Sequence, residues 1–185
     1  MLYIGIDPGV NGGIAWMQSG EDPAAEAVKM PGTIKDLRTV IADLHSANVV
    51  CSCALEEVGP RPGQGVKSMF TFGRVYGQAE TAIVCHGIAL ERVLPTKWQK
   101  YFGLITGKGV SKTKKKNKHK ALAQELWPDI KMNHYITDAL LICEWWRRVN
   151  LAQVADVTYT HTGRSMTKKT ILESHTQIMK GEYCR

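Results

Sequence analysis

Between Val49 and Val58 the residues Val49, Val50, Cys51, Cys53, Ala54 and Leu55 make a nearly unbroken apolar stretch that ends on two acids, Glu56 and Glu57. A run of this length, bounded by charge and then by Pro60-Arg61-Pro62-Gly63-Gln64-Gly65, reads as a strand followed by a loop. A strand that is apolar on both sides must be covered on both sides. A sheet with helices on its faces meets that requirement.

The remainder of the chain supplies the neighbours and the covers. Leu2 to Asp7 is a second short apolar run, closed by Pro8-Gly9, and Gly12-Gly13 opens a third, Ile14 to Met17, in the manner of a hairpin. A further strand fits Ala27 to Met30. After the break at Pro31-Gly32, Thr33 can cap a helix whose apolar residues Leu37, Val40, Ile41 and Leu44 recur at helical spacing. A long helix fits Val66 to Cys85. Its Gly73 and Gly77 each cost about 1 kcal/mol in a helix interior, which a close contact with another element would offset. Gly87 to Leu94 reads as a fifth strand, and Pro95 suits the first turn of a short helix holding Trp98, Tyr101 and Phe102. A lysine-rich stretch then precedes a helical pattern from Ala121 to Trp127 that stops at Pro128, and Asn133 leads into a last helix reaching about Asn150.

This order implies an α/β domain over residues 1–150, with a mixed five-stranded sheet flanked by helices. Residues 151–185 form a C-terminal extension, in which 154–162 fits a strand or hairpin and 168–180 a helix. At 185 residues the chain can bury one good core but not two. No apolar run approaches the roughly 20 residues of a membrane span, and no leader pattern opens the chain, so a cytoplasmic protein is expected. Five cysteines without paired CxxC spacing are expected to be reduced thiols, with Cys51 and Cys53 on one side of their strand. The net charge of +7 and a pI near 9.2 favour a polyanionic partner, nucleic acid before lipid.

Three acids stand where chemistry is accessible. Asp7 closes an apolar strand before Pro-Gly, a place that suits both an Asx turn and a side chain projecting beyond a sheet edge. Of Glu56 and Glu57, alternation lets only one share a face with Asp7. Asp138 interrupts the apolar run Ile136, Ala139, Leu140, Leu141 and Ile142, where a charge is costly unless paired, metal-bound or at the surface. Clustered oxygen ligands of this kind suit hard cations such as Mg²⁺ or Mn²⁺. Two such ions can activate water and stabilise a leaving oxygen in phosphodiester cleavage.

The strings Gly-Ile-Asp-Pro-Gly around Asp7, Ala-Leu-Glu-Glu-Val around Glu56 and Asp-Ala-Leu-Leu-Ile from Asp138 resemble those of the RuvC-type Holliday junction resolvases, a branch of the RNase H-like superfamily, over residues 2–145. The resemblance implies an RNase H-like fold and selects Glu56 as the metal ligand. It also implies a fourth Asp or His three positions before Asp138, where this chain has Tyr135. His134, one residue out of step, is the nearest candidate on a helix extending back from Asp138, ahead of Asn133. The expected metal and catalytic set is thus Asp7, Glu56, His134 and Asp138, holding two Mg²⁺ or Mn²⁺ ions.

By the same resemblance, Lys97, Lys108, Lys112, Lys114, Lys115, Lys116 and Lys118 meet DNA, and Arg61 occupies the loop where some relatives carry an aromatic wedge. Taken alone, such a lysine run reads as a solvated loop. Helix 66–85 matches the family's dimer helix. The activity implied is that of a homodimeric endodeoxyribonuclease cutting four-way junctions in pairs, leaving 5′-phosphate and 3′-hydroxyl ends, in a bacterial or phage-infected cell. Two other readings share the scaffold: a single-site nuclease on hybrid or branched substrates, and a non-catalytic DNA-structure binder. A sugar-kinase or actin-like protein also begins with such a turn but needs a second similar domain.

Overall fold

A computed structural model describes residues 1–20, 23–48, 50–57, 59, 63, 65–107, 109–156, 160–161 and 164–165. Strands β1 (Leu2–Asp7), β2 (Gly13–Gln18), β3 (Ala25–Lys29), β4 (Cys51–Glu56) and β5 (Ala89–Val93) form one sheet in the order β3-β2-β1-β4-β5. β2 runs antiparallel to β1 and β3, whereas β1, β4 and β5 are parallel. The expected mixed five-stranded sheet is therefore present. Its central strands, β1 and β4, are buried along nearly their whole length.

Alternation along those strands separates two cores. Leu2, Ile4, Ile6, Ile14, Cys51, Cys53 and Leu55 face helices α1 (Ile34–Ser46) and α2 (Val66–Cys85), meeting Leu37, Ile41, Ala79 and Ile83. Tyr3, Ala15, Met17 and Ala54 face the other side, where α3 (Pro95–Tyr101), α4 (Lys112–Leu126) and α5 (Thr137–Asp156) bring Trp98, Ala123, Leu140 and Leu141. Thr33 caps α1 as expected, its hydroxyl accepting from the Asp36 amide at 3.1 Å, and Pro95 opens α3 at the first position.

Helix α5 is seated on β1 by the absence of a side chain. A Cβ built on Gly5 would lie 2.6 Å from the Ala139 carbonyl oxygen and closer still to the Cys143 amide. Farther along α5, the buried Arg147 donates from Nε to Glu144 at 2.7 Å and from Nη1 to the Gly20 carbonyl, tying the helix to the turn after β2.

Three boundaries differ from expectation. The lysine run is not a loop before a helix: Ser111 caps Lys114 at 3.3 Å, and Lys112 to Lys120 form the first part of α4. The last helix becomes regular only at Thr137, after a turn that Asn133 caps: its side chain accepts from the Tyr135 and Ile136 amides, and its carbonyl accepts from the Thr137 amide at 3.3 Å. It also continues to Asp156, past the expected domain limit at 150, and is followed by a two-residue pairing of Thr160–His161 with Arg164–Ser165. The helix expected over 168–180 lies outside the described residues. Among the described residues, no helix is long and apolar enough to cross a membrane.

Replacing Gly5 by Ala should lower the unfolding free energy by about 3 kcal/mol or more, since the clash is with backbone that cannot swing aside. Gly32→Ala, where a Cβ meets nothing within 4 Å, should stay within about 0.5 kcal/mol. Urea denaturation of the two variants compares them directly, and similar midpoints would contradict this account of how α5 is seated.

Candidate active site

Residues 3, 5 and 7 of β1 and 52, 54 and 56 of β4 point to the α5 side of the sheet, as Tyr3 and Ala54 in that core show. The parallel register pairs Ile6 with Leu55, so its next step sets Asp7 beside Glu56. Parity therefore turns Glu57 away, and Glu57 is exposed. Because α5 lies on Gly5, its first turn brings Asp138 to the same end of the sheet. Three acids from three elements share one edge.

Asp7 makes the turn that its position suggested and also faces a cleft. Its Oδ1 accepts from the Gly9 amide at 3.1 Å, an Asx turn, and its carboxyl also lines a cleft of about 720 Å³ with Gly9, Asn11, Lys67, Thr71 and Lys116. Gly12 lets the turn fold back, since a Cβ there would come within 2.7 Å of Asp7 Cγ. Burial pushes the Asp7 carboxyl from the usual 3.8 up to about 6, and the charge of Asp138 pushes in the same direction. The Gly9 amide and the Lys116 ammonium oppose the rise without cancelling it.

The other two acids are held by donors from α3 and α4. The indole Nε1 of the fully buried Trp98 donates to Glu56 Oε1 at 2.9 Å. His119 Nδ1 lies 2.8 Å from Asp138 Oδ1. Trp98 and His119 meet edge to face, with ring centroids 5.3 Å apart.

His119, within hydrogen-bond distance of Asp138, is the residue that sequence reasoning missed. His134 is exposed in the capped turn before α5, outside the regular helix on which it was expected to share a face with Asp138. Tyr135 is also outside the helix, with Lys29 Nζ 4.3 Å from its ring centre. His119 had one sequence signal: His119, Ala123 and Leu126 recur at i, i+4 and i+7, an inward stripe that begins among lysines.

The expected DNA-contacting lysines divide by position. Lys112, Lys115 and Lys116 lie within about 60° of His119 around α4 and share its side of the helix, whereas Lys114 and Lys118 do not. Lys118 donates to the Gly103 carbonyl at 2.6 Å. Lys97 stands 3.6 Å from Glu91 and over the Trp145 ring. Arg61 and Lys108 lie outside the described residues.

Among the described residues, no three metal-ligating side chains converge on one point. The donors nevertheless fit a hard divalent cation. They are carboxylate oxygens, and the charge of Asp138 opposes the ionisation of Asp7 in a way that a bound cation would relieve. Asp7 and Asp138 would hold it, with Glu56 on the next strand. A separate cleft of about 670 Å³ between the β2–β3 hairpin and α1, walled by Trp16, Val28, Val40 and Leu44, contains none of these acids.

No family model and no curated protein matches the sequence. Among solved structures, the chain is similar to the RuvC protein of Thermus thermophilus in complex with a Holliday junction substrate. The TM-score is 0.57 at 14% identity, over 80% of this chain and 96% of that one. A second Thermus thermophilus RuvC structure gives a TM-score of 0.53 at 15% identity, over 81% and 97% of the two chains. At such identities the likeness is one of fold, and the fold is the RNase H-like fold of RuvC.

Ionising Asp7 is opposed in the folded protein, so the cation-free protein should lose stability as pH rises through the window from about 4 to about 6. Asp7→Asn removes that penalty. In the presence of a chelator near pH 8, it should be the more stable protein by up to about 3 kcal/mol, with the difference gone below about pH 4. Chemical denaturation at the two pH values measures it, and an Asn variant no more stable than wild type at the higher pH would refute the assignment.

Proposed function

We propose that the protein is a structure-selective endodeoxyribonuclease that cuts four-way DNA junctions as a homodimer. The observation that carries this reading is the placement of Asp7, Glu56 and Asp138 at one sheet edge, beside the cleft into which the basic helix α4 sends Lys116. The substrate is suggested by the Thermus thermophilus RuvC of the same fold, which has been solved with a Holliday junction. Divalent cations, two per site and Mg²⁺ or Mn²⁺ by the chemistry of the donors, would supply activation of the attacking water and stabilisation of the leaving 3′ oxygen.

The chain's own groups account for binding and orientation. Helix α4 carries Lys112, Lys114, Lys115 and Lys116 at its N-terminal end and no acid in its first turn, against the helix dipole. Lys112 and Lys116, Lys114 and Lys118, and Lys116 and Lys120 repel at i, i+4, each pair by about 0.2–0.5 kcal/mol. A phosphate backbone along this helix relieves both effects. Lys116, already beside Asp7, is suited to bring a phosphate to the carboxylates. In-line attack by water on that phosphate leaves a 5′-phosphate and a 3′-hydroxyl.

Helix α2 supports the dimer. Among the described residues, nothing lies within 4 Å of a Cβ built on Gly73 or Gly77, so the close contact expected to offset their cost in the helix is not made by a described neighbour. They share an outward stripe at heptad spacing with Val66, Phe70 and Val84, of which Phe70 is 73% exposed. A second copy of α2 packed on this stripe covers the apolar residues and uses the glycines for close approach. The two-fold axis so formed would set two sites for paired nicks.

Magnesium-dependent cutting of a synthetic four-way junction, with duplex and RNA–DNA hybrid as comparisons, tests the activity. No metal-dependent scission of any substrate would leave only a DNA-structure binder, and preference for the hybrid would favour a single-site nuclease. Gly77→Leu should give a folded monomer by sedimentation that nicks a cruciform plasmid once without linearising it. Paired cutting by that monomer would exclude the proposed interface. Reversing the charge of Lys115 and Lys116 should weaken junction binding and lower its log–log salt slope by about 1 per lost contact.

A further inference from the structure

Helix α4 has residues 112–118 exposed and one polar side chain turned inward, His119, which is 7% exposed. An ionised carboxylate offers only acceptors, so the 2.8 Å contact requires the hydrogen on His119 Nδ1 when Asp138 is charged. One neutral tautomer and the imidazolium both provide it, so the contact does not depend on titration of the ring. The bond occupies Asp138 Oδ1 and leaves Oδ2 for another partner.

The same ring abuts Trp98, whose indole, a donor only, fixes Glu56. The contacts Glu56–Trp98–His119–Asp138 thus cross from β4 to α5 through α3 and α4, neither of which contributes an acid to the site. Ala123, fully buried one turn further along α4, holds the helix against the sheet-side core and fixes the depth at which His119 sits.

We propose that His119 is a positioning residue, which orients Asp138 for cation binding and makes that orientation depend on the seat of the lysine-bearing helix. The cation is taken from the nuclease reading above, but the junction as substrate is not required. Contact of Lys112, Lys115 and Lys116 with a polyanion, and the aim of Asp138, then depend on the placement of one helix.

The test is Mn²⁺ binding to metal-free full-length protein by calorimetry, with junction cleavage measured in parallel. His119→Asn keeps an N–H donor close to the place of Nδ1, whereas His119→Gln carries its amide one bond further out. H119Q should weaken Mn²⁺ binding by about tenfold or more, the scale usual when the partner behind a metal ligand is lost. H119N should restore most of that affinity, although the two variants melt together. Equal affinity in wild type and both variants would overturn the proposal, as would an equal loss in both or a wild-type protein that takes up no Mn²⁺. His119-dependent Mn²⁺ binding without cutting of any junction would uphold His119 while removing the proposed substrate.

Discussion

Helix α5 lies on β1 at a separation that only a glycine at position 5 allows, and the geometry of the site follows from that contact. Gly5 and Asp7 share a strand face, and the Ala139 carbonyl that abuts Gly5 belongs to the residue after Asp138. Seating the helix therefore brings two carboxylates together whether or not they attract. Leu140, Leu141 and Ile142 are fully buried by the same docking, at about 1.5–3 kcal/mol each. That sum exceeds the roughly 3 kcal/mol at most that charging Asp7 costs there. Apolar packing thus holds in place an arrangement that its charges oppose.

Glu56 enters by a different constraint. Its place beside Asp7 comes from the parallel pairing of β1 with β4, and a slip of one residue would present Glu57 instead. The register is secured by burial on both faces, with Cys53 and Leu55 in one core and Ala54 in the other. The choice between two adjacent glutamates is therefore made by residues with no chemistry of their own.

This division explains what could be read before the fold was known. The strands were legible because β1 and β4 are apolar on both sides and end abruptly at Asp7 and Glu56, so their existence and the two acids could be inferred together. The start of α5 was legible only in part, because Asn133 could be read as leading into the helix, whereas the length of the turn that it caps, which leaves His134 exposed before the regular helix, depends on side-chain geometry. His119 was hidden by composition: in a run of lysines, the average over a turn is hydrophilic, and one inward residue per turn does not change it. Trp98 could be seen as a core aromatic, but its hydrogen bond to Glu56 joins residues 42 positions apart and leaves no local trace.

Three features break local rules of stability: lysines at the start of α4, glycines inside α2, and like-charged acids at one sheet edge. Each is of the order of 1 kcal/mol or more, and none is fully offset by a described neighbour within the chain. Departures of this kind gather where a partner supplies what the chain lacks. The three deficits also differ in chemistry. An anion answers the first, a close-packed apolar surface the second, and a cation the third, and on the proposed reading these are DNA, a second copy of the chain, and the divalent ions. Any partner that binds the folded state alone stabilises it by mass action. Because α4 touches the first deficit through its lysines and the third through His119, those two partners act on a single helix, and the cation and the polyanion should stabilise the same seat of α4.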